Sequence, residues 1–125
     1  MNDLCIYITT YNRVQYLKLA IDSILNQSYD NFTLIILDNC STDGTYEYVL
    51  SLKDSRVKYI RHSQNIGGGA NINYAFKNCT SEYFCVFHDD DILNEKIIEN
   101  INNCPDARFV SSFSLRPIYW LITTA

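Results

Sequence analysis

Residues 83–91 read Tyr83-Phe84-Cys85-Val86-Phe87-His88-Asp89-Asp90-Asp91. An apolar run without alternation is the pattern of a strand buried on both faces, as in a parallel sheet. Here it ends abruptly on three adjacent carboxylates. These repel one another, and keeping all three ionised needs a reason, either exposure to solvent or a bound cation. The same arrangement stands twice upstream. Leu4–Thr9 is a largely apolar run entering Thr9-Thr10-Tyr11-Asn12-Arg13, and Phe32–Leu37 enters Asp38-Asn39.

The stretches between these runs carry helical spacing. Leu17, Ala20, Ile21, Ile24 and Leu25 predict an amphipathic helix over Val14–Gln27. Ser41, Thr42 and Asp43 offer an N-cap to a helix through Tyr46, Val49 and Leu50. Val57–Ile60 is a brief third strand. Gly67–Gly69 breaks the chain before a helix over Ala70–Asn78. A last helix is expected over Asn94–Asn102, with Ile97, Ile98 and Ile101 inward, and a fifth strand over Ala107–Ser112. Strands alternating with helices predict an α/β fold, a mostly parallel sheet with helices on both faces. In such sheets ligands bind beyond the carboxyl ends of the strands, and all three polar clusters fall there.

The chain has 125 residues, 10 Lys and Arg against 14 Asp and Glu, and a formal net charge of -4. That is one domain in length, without the basic field of a nucleic-acid binder. The five cysteines are odd in number and lack a C-x-x-C pair, which argues against a disulfide framework or zinc site. Asp3 stands where a secretory signal would be basic, and the apolar tail Pro117–Ala125 is too short to span a bilayer. A reduced, cytoplasmic protein is expected.

Each cluster has a chemistry. Asp89–Asp91 offers hard oxygen donors for Mg²⁺ or Mn²⁺, ions that typically join one or two protein carboxylates to substrate phosphates; Asp is equally at home in caps and turns. His88 is by itself weak evidence for a ligand. Asp38-Asn39 suits a turn, or acceptance of the imide hydrogen of a pyrimidine base. Thr9–Arg13 offers hydroxyls, an amide and the ring of Tyr11 to a nucleoside. Asn65-Ile66-Gly67-Gly68-Gly69 opens a helix, where backbone amides favour phosphate. It is neither a P-loop nor a dinucleotide fingerprint, and close backbone approach explains its glycines equally well.

In this order the clusters resemble family 2 glycosyltransferases over about Leu4–Ile101. Thr10-Tyr11-Asn12-Arg13 is similar to that family's T-x-Y-N-R opening, and Asp38-Asn39-Cys40-Ser41-Thr42-Asp43-Gly44-Thr45 to its D-[DN]-x-S-x-D-G-[ST] segment. Asn65-x-Gly67 through Asn73 is similar to its N-x-G…N loop, and Phe87-His88-Asp89-Asp90-Asp91 to its variant of the D-x-D metal motif. The resemblance implies a GT-A, Rossmann-like fold. It also implies a nucleoside diphosphate sugar donor, usually UDP-linked, with Mg²⁺ or Mn²⁺ on the diphosphate, and inverting transfer to an acceptor hydroxyl. By position, Thr9 would meet the nucleoside, with Tyr11, Asn12, Arg13, Gly67 and Asn73 in the donor site. Asp38 or Asn39 would meet the base, Asp89 the ribose, Asp90 the metal, and Asp91 the donor sugar or local structure. Two departures stand out: Ile72 where many members carry an arginine, and Asn39 where an aspartate is common.

The resemblance further implies a partial domain over 1–125, recognisable over 1–111, with 112–125 an unassigned tail. The general base and acceptor pocket would lie beyond Ala125. The acceptor would be a glycan or a lipid-linked sugar, the location cytoplasmic or peripheral at the inner face of the membrane. A complementing chain or a homo-oligomer could complete the site. One alternative is a non-catalytic nucleotide-binding remnant or half of a split enzyme. Another is a sugar-1-phosphate nucleotidylyltransferase, disfavoured because Thr9–Arg13 stands where that class carries a glycine-rich, arginine-containing loop. Donor hydrolysis against pyrophosphate exchange separates the two enzyme classes. Base catalysis contributes about 10²–10⁴-fold, so the 125 residues are expected to transfer sugar only slowly. Robust multiple-turnover transfer from UDP- or GDP-sugars with Mn²⁺ would place the base within the chain.

Overall fold

The computed structural model describes residues 4–103 and 122–123. Their order is β1 (Leu4–Thr10), α1 (Val14–Leu25), β2 (Phe32–Asp38), α2 (Thr45–Ser51), β3 (Val57–Arg61), α3 (Gly68–Asn78), β4 (Tyr83–His88), α4 (Ile97–Asn102) and β5 (Ile122–Thr123). The expected strand over Ala107–Ser112 lies outside the described residues. The described fifth strand is Ile122–Thr123, within the stretch that carried no sequence pattern, and it pairs antiparallel with β4.

The sheet order is β3-β2-β1-β4-β5. β1, β2, β3 and β4 are parallel where they pair. β1 lies at the centre, and all seven of its residues are buried. This is why it reads as a continuous apolar run rather than an alternating one. Its side chains alternate between two cores. Leu4, Ile6 and Ile8 pack with Leu17, Ile21 and Ile24 of α1, Val49 of α2 and Ile98 of α4. Cys5 and Tyr7 pack on the other face with Ala75 of α3, Phe84 and Val86. The chain steps outward from β1 to β3 and then returns across β1 to β4. With right-handed crossovers, that reversal moves the connecting helix α3 to the opposite face.

Three parallel strands run one residue further than their apolar runs. β1 takes in Thr10, β2 takes in Asp38 and β4 takes in His88. These polar residues stand at the carboxyl edge of the sheet, where the order reverses about β1. The α1 helix stops at Leu25, short of the expected Gln27. Gln27 is instead buried and serves as a tie. Its Nε2 donates to the carbonyls of Ser23 at 3.0 Å and Asn94 at 2.8 Å. Its Oε1 accepts from the Ile98 N–H at 3.2 Å. Ser23 Oγ accepts from the Leu93 N–H at 3.1 Å, and the Ser28 N–H donates to the Glu95 carbonyl at 2.9 Å. These bonds hold the segment after the acidic turn against α1.

Gln27→Ala strips the Asn94 carbonyl and the Ile98 N–H of a partner each. The expected loss of stability is about 2 kcal/mol, read as a shift in the urea midpoint.

Candidate functional site

The turns after β1 and β2 are bound to each other. Asn12, at φ 50°, adopts the left-handed conformation that asparagine tolerates. From there its backbone N–H donates to Ser41 Oγ at 2.8 Å, and its Oδ1 accepts from the Thr42 N–H at 2.7 Å. Asp43 bridges the starts of two helices. Its Oδ2 accepts from the Val14 N–H at 2.8 Å, and its Oδ1 accepts from the Thr45 hydroxyl at 2.6 Å. Burial pushes the Asp43 pKa up, but these hydrogen bonds outweigh it and the net shift is downward. The residue next to α2 is Gly44, at φ 91°, so Asp43 acts from one position further out than an N-cap.

Asp38 is fully buried. Its Oδ1 accepts from the Ser41 N–H at 3.0 Å and from the Ser41 hydroxyl at 2.5 Å. Its Oδ2 accepts from the Tyr59 hydroxyl, with Arg61 Nε at 3.6 Å. Burial and the neighbouring carboxylate push the Tyr59 phenol pKa up. Asp38 is thus committed within the protein, and Asn39 is the member of the pair that reaches the cleft. Asn39 Oδ1 accepts from the Ile66 N–H at 2.8 Å, and its Nδ2 donates to Asn65 Oδ1 at 2.8 Å. These bonds draw the glycine loop against β2. Gly67, at φ 84°, turns that loop into α3, a conformation that favours glycine.

Thr9, Thr10, Tyr11, Arg13, Asn39, Asn65, Gly67, Gly68, Asn71, His88 and Asp89 line one cleft of about 380 Å³ at the carboxyl edge. Tyr11 is 45% exposed at its mouth. Asn73, matched to the family's loop by resemblance, is exposed on α3 and outside this lining, whereas Asn71 is buried in it. Asn71 and Ala75 are the buried residues of α3, one turn apart. A residue two positions on from Asn71 is rotated about 200° away, which is the signal that separates the two asparagines. Asn71 Nδ2 donates to the Leu37 carbonyl at 3.0 Å, and its Oδ1 lies 2.8 Å from His62 Nε2.

The three adjacent carboxylates have different surroundings. Asp89 is buried; its Oδ2 accepts from the Thr10 hydroxyl at 2.9 Å, and its Oδ1 lies 3.1 Å from Arg13 Nη1. Burial raises its pKa, against the opposing pull of Thr10 and Arg13. Asp90 is exposed, with Oδ2 3.2 Å from Arg13 Nη2. Asp91 closes the turn, its Oδ2 accepting from the His88 N–H at 2.8 Å. His88 Nδ1 lies 2.9 Å from Thr9 Oγ1, so His88 and Thr9 enter the cleft as a pair.

The family model for Glycosyl transferase family 2 matches residues 5–103. The chain belongs to that family. WcaA of Escherichia coli (strain K12), a candidate glycosyl transferase of colanic acid biosynthesis, is 41% identical over 88 residues, covering 69% of this chain and 32% of that protein. Glycosyltransferase GlyG of Streptococcus pneumoniae serotype 4 is 32% identical over 99 residues, covering 77% of this chain and 33% of its own length. The chain thus spans about a third of either relative. Residues 1–349 of TarS of S. aureus, solved in complex with UDP-GlcNAc, have the same GT-A fold: TM-score 0.76 at 24% identity, over 85% of this chain and 32% of that solved portion.

The residues of this family 2 glycosyltransferase fit a divalent cation in one specific sense. Among the described residues no three His, Cys, Asp or Glu groups are placed to enclose a metal. Asp89 lines the cleft, and exposed Asp90 lies outside that lining but shares the Arg13 guanidinium with it; Mg²⁺-type ions accept one or two carboxylates when phosphates supply the rest. No helix among the described residues is long and apolar enough to cross a membrane.

Asp38→Asn places an amide donor opposite the donors of Ser41, Tyr59 or Arg61. The expected cost is about 3 kcal/mol, seen as a lowered melting temperature without any ligand present.

Proposed function

We propose that this glycosyltransferase binds a nucleoside diphosphate sugar, with UDP the first candidate nucleotide, and passes its sugar with inversion to an acceptor hydroxyl. The acceptor class that fits the family is a glycan or lipid-linked sugar, reached from the cytoplasmic side. The observation that carries this reading is the convergence of Thr9, Thr10, Tyr11, Arg13, Asn39, Asn65, Gly67, Gly68, His88 and Asp89 on one cleft. That TarS is solved with UDP-GlcNAc supports UDP-sugars as the first donors to test.

In this reading the nucleoside lies against Thr9 and the Tyr11 ring. Asn39 is the residue beside the base, its amide held by Ile66 and Asn65. Asp89 accepts from the ribose, and Asp91 keeps the turn in shape by capping the His88 N–H. The diphosphate meets the first turn of α3, whose leading N–H groups have no intrahelical partners and favour an anion. Asp90, with Asp89, would hold Mg²⁺ or Mn²⁺, which when bound supplies Lewis-acid stabilisation to the departing diphosphate. Ile72 brings no charge to the phosphate, so the demand on the metal is greater. The roles of Asn12 and Asn73 divide: Asn12 shapes the β1 turn, and Asn73 lies outside the cleft.

Titration calorimetry tests the reading. UDP is expected to bind weakly in chelator and at least about tenfold tighter with Mn²⁺, a gain of about 1.4 kcal/mol; Asp90→Asn is expected to remove that gain. Equal affinity with Mn²⁺ and with chelator overturns the metal assignment. Failure to bind UDP under either condition favours the non-catalytic remnant.

A further inference from the structure

We propose that Arg13 is an internal counter-cation that occupies the metal carboxylates until a diphosphate draws it away, so that metal and nucleotide bind cooperatively through one side chain. The inference rests on the reading of Asp89 and Asp90 as the metal carboxylates. One guanidinium spans both groups, with Nη1 3.1 Å from Asp89 Oδ1 and Nη2 3.2 Å from Asp90 Oδ2. A divalent ion needs those same oxygens, so the two cations exclude one another at close range.

Arg13 is placed to yield and to be reused. Its side chain is 42% exposed and so is free to move toward the cleft; of its two pairs, the one with exposed Asp90 is held only weakly, and the one with buried Asp89 is given up only to a cation that replaces it. Its guanidinium lies over the Tyr16 ring, 4.7 Å from the centroid, in the same position in which it meets the two carboxylates, so the ring helps to hold the planar group over them. Arg13 starts α1, its carbonyl accepting from the Tyr16 and Leu17 N–H groups at 3.0 Å each. The backbone is therefore fixed while the side chain swings.

Arg13 also lines the cleft, and among the described lining residues it is the one arginine or lysine. With Ile72 supplying no charge on α3, Arg13 is the cation that can turn to a diphosphate. Without nucleotide its single positive charge bridges two adjacent carboxylates and lessens their repulsion. Once a diphosphate is present, the guanidinium gains a bidentate anionic partner and vacates the carboxylates. Thermodynamic reciprocity then requires UDP to tighten Mn²⁺ by the factor by which Mn²⁺ tightens UDP.

The test is calorimetric titration of MnCl₂ into the full chain, with and without saturating UDP, for wild type, Arg13→Gln and Arg13→Lys. Arg13→Gln is expected to bind Mn²⁺ roughly tenfold tighter without nucleotide, because a positive charge within a few ångströms is gone. The factor by which UDP tightens Mn²⁺ is expected to shrink in the same variant. Arg13→Lys, which keeps the charge without the fork, is expected to fall between. Tyr16→Ala loosens the guanidinium at an exposed position. It should raise nucleotide-free Mn²⁺ affinity in the same direction, which guards against an Arg13 variant that fails to fold. Nucleotide-free Mn²⁺ affinity that is unchanged or weaker in Arg13→Gln and Tyr16→Ala, while UDP still tightens Mn²⁺ in wild type, overturns the counter-cation role and leaves the proposed function standing. Absence of Mn²⁺ binding in wild type and variants, with UDP present, overturns both.

Discussion

The site depends on the register of one strand. β1 is hydrogen-bonded on both sides, with Thr10 opposite Asp38 of β2 and Thr9 opposite His88 of β4. Because all seven residues are buried, a slip of one position would send Ile6 and Ile8 into the α3 core and Cys5 and Tyr7 into the α1 core. That double penalty fixes the register. With it fixed, the turns leaving β1, β2 and β4 start side by side at one edge. The cross-links follow: the Asn39 N–H donates to the Thr10 carbonyl at 3.0 Å, Asn12 binds Ser41 and Thr42, and Thr10 binds Asp89.

The sheet was legible in the sequence because its strands are continuous apolar runs ending on polar clusters. Leu4–Thr9, Phe32–Leu37 and Tyr83–Phe87 each came within one residue of the observed strand. The residue left out was in each case the polar one at the edge, where apolar patterning ends before hydrogen bonding does. The site was legible less evenly. Asp38 and Asn39 are adjacent polar residues that turn in different directions. Asp38, still in β2, turns into the protein toward Tyr59, whereas Asn39 has left the strand and turns to the cleft. Composition does not distinguish them. His62 and Asn71 were missed because their pairing at 2.8 Å joins the end of β3 to α3, a contact that no local spacing reports.

Three neighbouring carboxylates would be costly if all shared one environment. They do not. Asp91 spends its charge on a backbone N–H, which fixes the turn. Asp89 is buried but held between a hydroxyl and a guanidinium. Asp90 faces solvent and shares that guanidinium. The turn that Asp91 closes is what aims the other two at the same Arg13. Structural and chemical duties are thus divided among residues that the sequence presents as equivalent.

The same division explains why Arg13 rather than Arg61 serves the cleft. Both lie near the carboxyl edge, and both stand over aromatic rings, Tyr16 and Tyr46. Arg61 is committed: its Nη2 donates to the Ser41 carbonyl at 2.7 Å, and its Nε faces the buried Asp38 carboxylate. Withdrawing it would leave a carboxylate without its cation in a fully desolvated position, a cost far larger than an exposed pair returns. Arg13 pairs with one buried and one exposed carboxylate, both of which a divalent ion could compensate in its place. The cation whose departure can be balanced is the one free to follow the ligand. In this fold that is settled by which carboxylate lies inside the sheet edge and which lie beyond it.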